Sequence, residues 1–281
     1  MKNLFEKWIN FYIFSNVHVA LAAVALTFVS YWNLGEVVQF PFLLWIGIVT
    51  VIAYHFIRIF DTYFFNLTNL SLLKFFTKFD FLLFLFGLLL FFKFLIESSL
   101  NKILILLPAL ILTIWYAVPI VKLNGKQVSL RRLPQLKIFV IVLVWNIVTI
   151  LLPLHNHFTD YSLWIEFVQR TFLLIALTIP FDIRDFETDP QDMSTLPQKM
   201  GIHKAKKVSV LLLVCFFILI FFKTEYRLEI LLSELIVFIV SLGFITQVNN
   251  HKSIYYTAFW MEGIPILWAI LLWSLEIVLN N

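Results

Sequence analysis

Long apolar runs separated by short polar segments dominate the pattern of this 281-residue chain. A transmembrane helix needs about 20 predominantly apolar residues, with a range of about 17–25. Nine runs come close to this length, and we predict a membrane-spanning helix in each: residues 11–32, 38–57, 79–96, 103–121, 138–154, 164–181, 208–222, 230–247 and 254–278. The predicted fold is all-α, a polytopic membrane protein with a single domain over residues 1–281.

The composition agrees with this class of protein. Charged residues make up only 14% of the chain, whereas soluble domains carry about 25%. The net charge of +4 requires no nucleic-acid partner, because Lys and Arg in a membrane protein report its orientation first. The single Cys215 excludes a disulfide within the chain. Nucleotide hydrolysis, serine hydrolysis and zinc proteolysis lack their usual sequence motifs here.

The distribution of basic residues predicts how the nine helices are oriented. With a cytoplasmic N-terminus, 16 of the 21 Lys and Arg residues fall in cytoplasmic segments and four in outer segments. Cytoplasmic loops of membrane proteins carry such an excess. We therefore expect a multi-pass protein of the plasma (inner) membrane, with the segments after the second and sixth helices facing the cytoplasm.

The segment after the sixth predicted helix carries five carboxylates in the stretch DIRDFETDPQD, residues 182–192. Acidic side chains are costly at membrane depth and tend to mark function there. At about 100° per residue, Asp182, Asp185 and Asp189 share one face of a helix that continues from the span. Mg²⁺ is usually held by one or two carboxylates together with phosphates and water. The spacing favours a Mg²⁺ site for a diphosphate; a solvated acidic loop is the alternative.

A basic segment is predicted on the same side of the membrane. Five basic residues lie between positions 122 and 137, and the last three are Arg131, Arg132 and Lys137. Arg binds phosphate oxygens in a bidentate manner, and Lys contributes a point charge. We expect these three side chains to face the carboxylates across a diphosphate. The alternative is an ordinary positive-inside loop, or one that contacts anionic membrane lipid.

Two of the cytoplasmic segments resemble each other. FIRIFD (residues 56–61) aligns with DIRDFE (residues 182–187) at Ile, Arg and Phe, and both end on an acidic residue. The two copies are four helices apart, which favours a duplicated four-helix unit over residues 11–121 and 138–247, followed by a ninth helix. Arg58 in the first copy either binds phosphate or anchors the topology.

Some charged residues fall inside the predicted spans. Glu166 and Arg170 are four residues apart and should form an ion pair on one helix. Glu234 and Glu262 have no partner nearby in the sequence. Glu262 lies in the segment WMEGIP, where Gly and Pro can kink the last helix. It either lines a cavity from the cytoplasmic side or makes a hydrogen bond between helices.

Together these features resemble the UbiA family of intramembrane prenyltransferases. The run DIRDFETDPQDMSTLPQKMG, residues 182–201, looks like the second Asp-rich motif of that family and its Thr-Leu-Pro and Gly continuation. Tyr116 and Pro119 match the Tyr-x-x-Pro that ends the fourth helix of the family, and Arg131 and Lys137 match a basic stretch before the fifth. The resemblance covers nearly the whole chain.

The resemblance implies a UbiA-like helical bundle that transfers an isoprenyl group from an isoprenyl diphosphate to a hydrophobic acceptor, aromatic or lipid, with Mg²⁺ as cofactor. The matching residues take three roles: catalytic residues Asp182, Asp185 and Lys137; metal ligands Asp182, Asp185 and Asp189; and substrate-binding residues Arg58, Asp61, Arg131, Arg132 and Tyr116.

The first Asp-rich motif of the family, N-D-x-x-D-R-x-x-D, is only partly present. With Arg58 in register, Tyr54 and Ile57 occupy the first two Asp positions, and only Asp61 falls on an acidic one. A second hypothesis is therefore a catalytically degenerate relative that binds an isoprenoid or lipid without transfer. A third is a small-solute transporter built from paired repeats.

Overall fold

The computed structural model describes residues 2–65, 78–123, 126–189, 194–224 and 227–279, and these fold into a bundle of helices. In chain order the helices are α1 Lys2–Phe14, α2 Val17–Asn33, α3 Phe40–Phe65, α4 Lys78–Glu97, α5 Leu100–Ala117, α6 Pro134–Asn146, α7 Tyr161–Arg184, α8 Leu196–Met200, α9 Ile202–Ile218, α10 Leu228–Gln247 and α11 Ile264–Leu279. Short 3₁₀ segments lie at Leu130–Arg132 and Leu219–Phe222, and π-helical turns lie at Ile147–Leu151 and Tyr256–Met261. A small antiparallel hairpin pairs β1 Val121–Leu123 with β2 Lys126–Val128.

Several of these helices match membrane spans in length and apolar character. Within the described ranges six qualify: Phe40–Arg58, Leu100–Ala117, Tyr161–Arg184, Ile202–Phe222, Leu228–Gln247 and Tyr256–Leu279. A bent pair, Trp8–Phe14 with Val17–Asn33, makes a seventh candidate. The third and fifth predicted runs correspond to α4 and to a shorter apolar helix, Leu136–Leu151. A helical membrane protein is therefore confirmed, whereas nine spans remain a prediction.

The first predicted span, residues 11–32, is not one straight helix. The chain bends by 58° between α1 and α2. The bend is centred on Asn16, which has a left-handed backbone conformation with φ of 65°. Asn adopts this conformation more readily than most residues, because its short polar side chain can hydrogen-bond locally. The bend therefore separates α1 from the helix that packs into the bundle.

The seventh predicted span, residues 208–222, is too short. The observed helix begins six residues earlier, at Ile202, and reaches Phe222 over 21 residues. Gly201 precedes it with φ of 83°, a conformation that favours glycine. The first turns of α9 carry Lys204, Lys206 and Lys207, and the Nζ of Lys206 donates to the carbonyl of Thr246. Basic residues at a helix end can extend to the membrane interface, so the span is longer than its apolar run.

Contacts between helix termini divide the bundle into two ends. At the end we call the acidic end, the C-terminus of α7 meets the N-terminus of α6 and the turn at Tyr256–Met261. At the opposite end, Asn33 and Lys223 both reach Glu166 near the start of α7. The main apolar core lies between these ends and packs α2, α7, α9, α10 and α11 together. Each group of polar residues is thus held by helix ends around a common apolar core.

Candidate functional site

An ion pair between Asp182 and Lys137 lies at the centre of the acidic end. The Nζ of Lys137, in the first turn of α6, is 2.6 Å from Oδ1 of Asp182, in the last turn of α7. The Asp182 side chain is only 3% exposed. Its second oxygen, Oδ2, is buried and has no hydrogen-bond partner in the described part of the chain. One carboxylate oxygen is therefore enclosed without a donor from the described residues.

The helix that carries these aspartates ends earlier than the sequence predicts. Helix α7 stops at Arg184, and Asp185 begins a turn instead of continuing the helical face. The predicted continuous helix through Asp189 is therefore wrong, although Asp182, Asp185 and Asp189 lie close enough to interact with one another. Asp185 leaves the helical backbone conformation with φ of −86° and ψ of 8°, about one turn before Asp189, where the following proline disfavours helix. Within this turn the amide of Asp189 donates to the carbonyl of Asp185, four residues earlier, at 2.8 Å.

Arg184 holds Asp185 and also joins two helices. Its Nε and NH2 groups each donate to one oxygen of Asp185 at 2.6 Å, which is a bidentate pair. The NH1 group donates to the hydroxyl of Thr257, in the turn before α11. The Arg184 side chain is largely buried, whereas that of Asp185 is about a third exposed. Asp185 is therefore fixed in orientation but accessible from the acidic end.

Asp189 and Arg131 lie close enough to interact with each other and with the central pair. Burial raises the pKa of the Asp189 carboxyl, against an opposing effect of Lys137, and Asp185 adds to the increase. Burial also lowers the pKa of the Arg131 guanidinium, while Tyr54 and Asp189 act in the opposite direction. Both effects require that these side chains are withdrawn from bulk water. The structure thus brings acidic and basic groups together in a partly dry environment.

The other predicted substrate-binding residues occupy the same end of the bundle in different settings. Arg58, on α3, donates to Oδ1 of Asn16 at 2.8 Å and to the carbonyl of Phe14. Tyr116 lies in the last turn of α5 and interacts electrostatically with Asp182. Arg132 is exposed in the 3₁₀ segment. The backbone of Asp61 belongs to α3, and its side chain lies outside the described part of the structure.

The arrangement of these carboxylates bears on the predicted Mg²⁺ site. Within the described residues no three His, Cys, Asp or Glu side chains are grouped closely enough to hold a metal ion. Asp182 and Asp185 each face a cation of the protein instead. Mg²⁺ commonly needs only one or two carboxylates when phosphates complete its coordination. Among the described residues, Oδ2 of Asp182 accepts no hydrogen bond, whereas both oxygens of Asp185 accept from Arg184.

Three further residues at this end were not assigned a role from the sequence. In the sequence, Arg184 was only one of the 16 basic residues that predict the orientation in the membrane. In the structure it connects Asp185 to Thr257. Tyr54, at an Asp position of the degenerate motif, hydrogen-bonds Trp145 and interacts electrostatically with Arg131 and Glu262. The alignment of the two similar segments could have pointed to both residues. Arg184 lies within residues 182–187, and Tyr54 lies two positions before residues 56–61. Trp145 carried no signal, because it is one aromatic residue in an apolar run.

The opposite end contains a separate polar group that we call the charged tetrad: Glu166, Arg170, Lys223 and Glu234. NH2 of Arg170 is 2.6 Å from Oε1 of Glu166, as predicted from the spacing. Nζ of Lys223 bridges Glu166 at 3.0 Å and Glu234 at 2.7 Å. Glu234 therefore has a partner that only the tertiary structure supplies. Burial acts to lower the pKa of Lys223, but the two carboxylates outweigh it and raise the pKa overall.

A polar cavity of about 200 Å³ leads from the surface to this tetrad. Asn33, Ser162, Thr224 and Asp160 line it, and Glu166 and Lys223 form its inner wall. All four tetrad charges are paired, and together they sum to zero. Paired buried charges satisfy one another and need no ligand to compensate them. The tetrad is best explained as a structural element that joins α7, α10 and the segment after α9.

Comparisons of the chain with known protein families, with curated proteins and with solved structures gave no match.

Proposed function

We propose that this protein is a Mg²⁺-dependent intramembrane prenyltransferase of the UbiA type, which transfers an isoprenyl group from an isoprenyl diphosphate to a hydrophobic acceptor. The observation that carries this proposal is the buried Asp182 carboxylate, bonded to Lys137 through one oxygen and unpartnered at the other. Asp185, Asp189 and Arg131 lie around it. Carboxylates beside basic side chains are what a metal–diphosphate complex requires.

The residues around Asp182 divide the task by charge. Bound Mg²⁺ would neutralise charge on the diphosphate as it leaves, which is the usual contribution of a metal ion to such a step. Asp182 and Asp185 would hold the ion, while Lys137 and Arg131 would bind phosphate oxygens directly. Asp189 would be a third ligand of the same ion. Arg58, Asp61 and Arg132 would bind the diphosphate at the edge of the site. Preorganised charge of this kind stabilises the departing diphosphate in the transition state.

Aromatic side chains lie beside the charged groups. Tyr54 interacts with both Tyr116 and Trp145, and Tyr116 interacts in turn with Asp182. An allylic group becomes positively charged as its bond to diphosphate breaks, and aromatic faces attract positive charge. Tyr116 would therefore contact the isoprenyl group near its reacting carbon. The rest of the isoprenyl chain would lie along the apolar helices. A hydrophobic acceptor would reach the site between these helices from the membrane.

The proposed orientation places the acidic end at the cytoplasmic face of the plasma (inner) membrane. Lys137, Arg131, Arg132 and Arg184 all belong to this end. An excess of Lys and Arg marks the cytoplasmic side. Water-soluble diphosphates are made in the cytoplasm, so this side would also supply the donor substrate.

The proposal is tested by the transfer of label from radiolabelled isoprenyl diphosphates in membranes that contain the protein. We expect Mg²⁺-dependent transfer by the wild type and at least about a 100-fold loss with Asp185→Asn, because an ion ligand acting in the transition state is removed. Asp160→Asn at the opposite end is the matched control and should keep wild-type transfer. Equal, Mg²⁺-independent behaviour of all three proteins would reject the proposal.

A second function, binding of an isoprenoid or lipid without transfer, is favoured by one specific observation. Tyr54 and Ile57 stand where the first two aspartates of the family motif belong, so α3 offers fewer metal ligands. Tyr54 is instead hydrogen-bonded to Trp145. Calorimetry with a non-hydrolysable isoprenyl thiodiphosphate separates the two functions. Tight binding together with no release of diphosphate from the natural donors would support the second.

A further inference from the structure

Helix α1 has a side that the bundle does not cover. Trp8 is 65% exposed and Phe11 is 47% exposed, and their rings meet edge to face with centroids 6.5 Å apart. The two residues are three positions apart and therefore share one face of the helix. Ile13 lies on the opposite face and is buried against the protein. Helix α1 thus packs on one side and presents aromatic rings on the other.

Helix α2 crosses the bundle without any contribution from α1. Near its first residue, Nε2 of His18 donates to the carbonyl of Phe259 at 2.9 Å, in the π-helical turn at the acidic end. At its last residue, Asn33 donates to Glu166 at the opposite end. Its 17 residues extend about 25 Å, which is close to the thickness of the hydrocarbon core of a bilayer, about 30 Å. Helix α1 is therefore not needed to complete this span.

Hydrogen bonds hold the last turn of α1 level with the ends of two neighbouring spans. Arg58 is the last residue of the span in α3, and it donates to the carbonyl of Phe14. Tyr255 directly precedes the final span, and its hydroxyl donates to Oδ1 of Asn10. Both ends of this turn thus lie at the depth at which neighbouring spans begin or end. Together with the 58° bend between α1 and α2, this turns the axis of α1 towards the membrane surface.

The joint between α1 and α2 is built from specific side-chain contacts. Nδ1 of His18 lies 2.8 Å from the hydroxyl of Tyr12, on α1. Because Nε2 of His18 donates to a carbonyl, which can only accept, Nδ1 of the neutral ring accepts from Tyr12. Phe259 stacks on the His18 ring at 5.1 Å, and Tyr12 meets that ring edge-on. Helix α1 is therefore a fixed part of the bundle.

We propose that α1 is an interfacial helix whose partner is the lipid bilayer. Trp8 and Phe11 insert at the boundary between headgroups and acyl chains, in the leaflet at the acidic end. Trp is enriched at this depth, because its ring is apolar while its N–H group favours water. Helices that lie in the interface bury their apolar face about 5–10 Å into this boundary.

Lipid is the occupant favoured by the surface that adjoins this face. Val17 and Leu21 follow it along the chain, one turn apart at the start of α2, and both are exposed. Acyl chains cover exposed apolar side chains on a membrane-spanning helix, since they are as apolar as those side chains. Trp8 and Phe11 precede this lipid-facing surface at the level where the span begins. The same leaflet therefore reaches them.

The experiment measures the depth of α1 in the full chain, reconstituted in lipid nanodiscs. Trp8→Cys and Phe11→Cys, each in a Cys215→Ser background, are labelled with a nitroxide. Electron paramagnetic resonance compares the accessibility of each label to oxygen, which partitions into lipid, and to a water-soluble nickel chelate. Labels at Lys199→Cys and Leu107→Cys mark the extremes. Lys199 is exposed on α8 outside the spans, and Leu107 is exposed midway along the span in α5.

We expect both labels on α1 to lie about 5–10 Å below the lipid phosphates, between the two reference positions. A label at Trp8→Cys as deep as that at Leu107→Cys would overturn the proposal, because α1 would then extend the span. Accessibility to nickel equal to that at Lys199→Cys would place α1 in water. Protection from both reagents would assign the face to another protein or to a second copy of the chain. Each of these three results rejects the lipid contact.

A matched pair of substitutions tests whether the aromatic face itself inserts. Trp8→Ser should raise the nickel accessibility of the label at Phe11→Cys by about twofold or more, because binding of an interfacial helix scales with its buried apolar area. Val17→Ser removes an exposed apolar side chain from α2, whose depth the bundle fixes, and should leave that label unchanged. An unchanged label in Trp8→Ser, or an equal change in Val17→Ser, would contradict anchoring by Trp8. These readouts do not require prenyl transfer, so they are independent of the proposed function.

Discussion

At the scale of single residues, Asp182 and Lys137 sit where their helices disfavour them. Asp182 lies at the negative C-terminal end of α7, and Lys137 lies at the positive N-terminal end of α6. The helix dipole makes each placement unfavourable by about 0.3–1 kcal/mol. The 2.6 Å contact between the two side chains offsets this cost. An ion pair that both helix dipoles disfavour is consistent with a site that binds a charged ligand.

We predict that Asp182→Asn destabilises the protein more than the double variant Asp182→Asn with Lys137→Met does. Removing one partner of a buried pair leaves an uncompensated charge and costs about 3–5 kcal/mol, whereas removing both avoids that penalty. Thermal unfolding in detergent measures the difference. Equal destabilisation by the single and double variants would show that the two side chains are not coupled.

A second prediction at this scale concerns pH. Because burial raises the pKa of Asp189, this carboxyl is protonated at a higher pH than an ordinary Asp. Mg²⁺-dependent binding of a thiodiphosphate should therefore weaken as the pH falls, starting above the usual Asp range of about 3.9. The sign for folding is opposite: the folded state holds this proton more tightly, so Asp189 lowers stability as the pH rises through its raised pKa.

The check is a comparison of Asp189→Asn with the wild type by calorimetry at a series of pH values. The variant should bind more weakly at neutral pH and lose less affinity on acidification. A profile for the variant that parallels the wild-type profile would assign the pH dependence to another group. Lys199→Gln, in the short α8, serves as a charge-changing control nearby.

At the scale of elements, the charged tetrad joins helices that are distant in sequence. Lys223 follows α9, Glu166 lies in the second turn of α7 and Glu234 lies in the second turn of α10. Gln169 donates to Glu234 at 2.6 Å, and Asn33 donates to Glu166 at 2.9 Å, so α2 is also included. Buried charges that are paired and hydrogen-bonded in this way fix one arrangement of the helices.

We predict that Lys223→Met lowers the unfolding temperature strongly, because Glu234 then loses the cation that pairs with it and Glu166 keeps only Arg170. Loss of one partner of a buried ion pair costs about 3–5 kcal/mol. Lys223→Met combined with Glu234→Met should recover part of this loss. Circular dichroism melting in detergent measures both, with exposed Lys207→Met as the control. A double variant less stable than the single one would contradict the expectation.

The sequence was informative about element type and much less so about element ends. Apolar runs located the helices, since burial in lipid imposes a length on each. The bend at Asn16 and the early stop of α7 at Arg184 depended on single backbone conformations that hydropathy does not report. The Glu166–Arg170 pair followed from helical spacing, whereas Lys223 and Glu234 met only because α9 and α10 pack together.

At the scale of the whole molecule, the two polar groups occupy opposite ends of one bundle. The acidic end gathers Asp182, Lys137 and Arg184, and the opposite end gathers the charged tetrad. The proximity of Asp182 to a basic segment 45 positions away was foreseeable from topology, because both segments were expected on the same side. The specific pairing of Asp182 with Lys137 was not foreseeable, because side-chain pairing depends on how each helix is rotated about its axis.

We predict that residues at the two ends are labelled from opposite sides of the membrane. In a Cys215→Ser background, a cysteine at Lys252 should react with an impermeant maleimide only after the cytoplasmic face is opened. A cysteine at Asp160 should react in intact cells. Labelling of both sites from the same side would disprove the orientation. It would also contradict the proposal that the donor diphosphate enters from the cytoplasm.

The tetrad has one more consequence, for traffic through the protein. Arg170 and Glu234 are fully enclosed and Glu166 nearly so, and the polar cavity at this end reaches only Glu166 and Lys223 of the four. Passage of a polar solute through this end would require the paired side chains to separate. Under the proposed function, a hydrophobic product would therefore leave sideways, between helices and into the lipid.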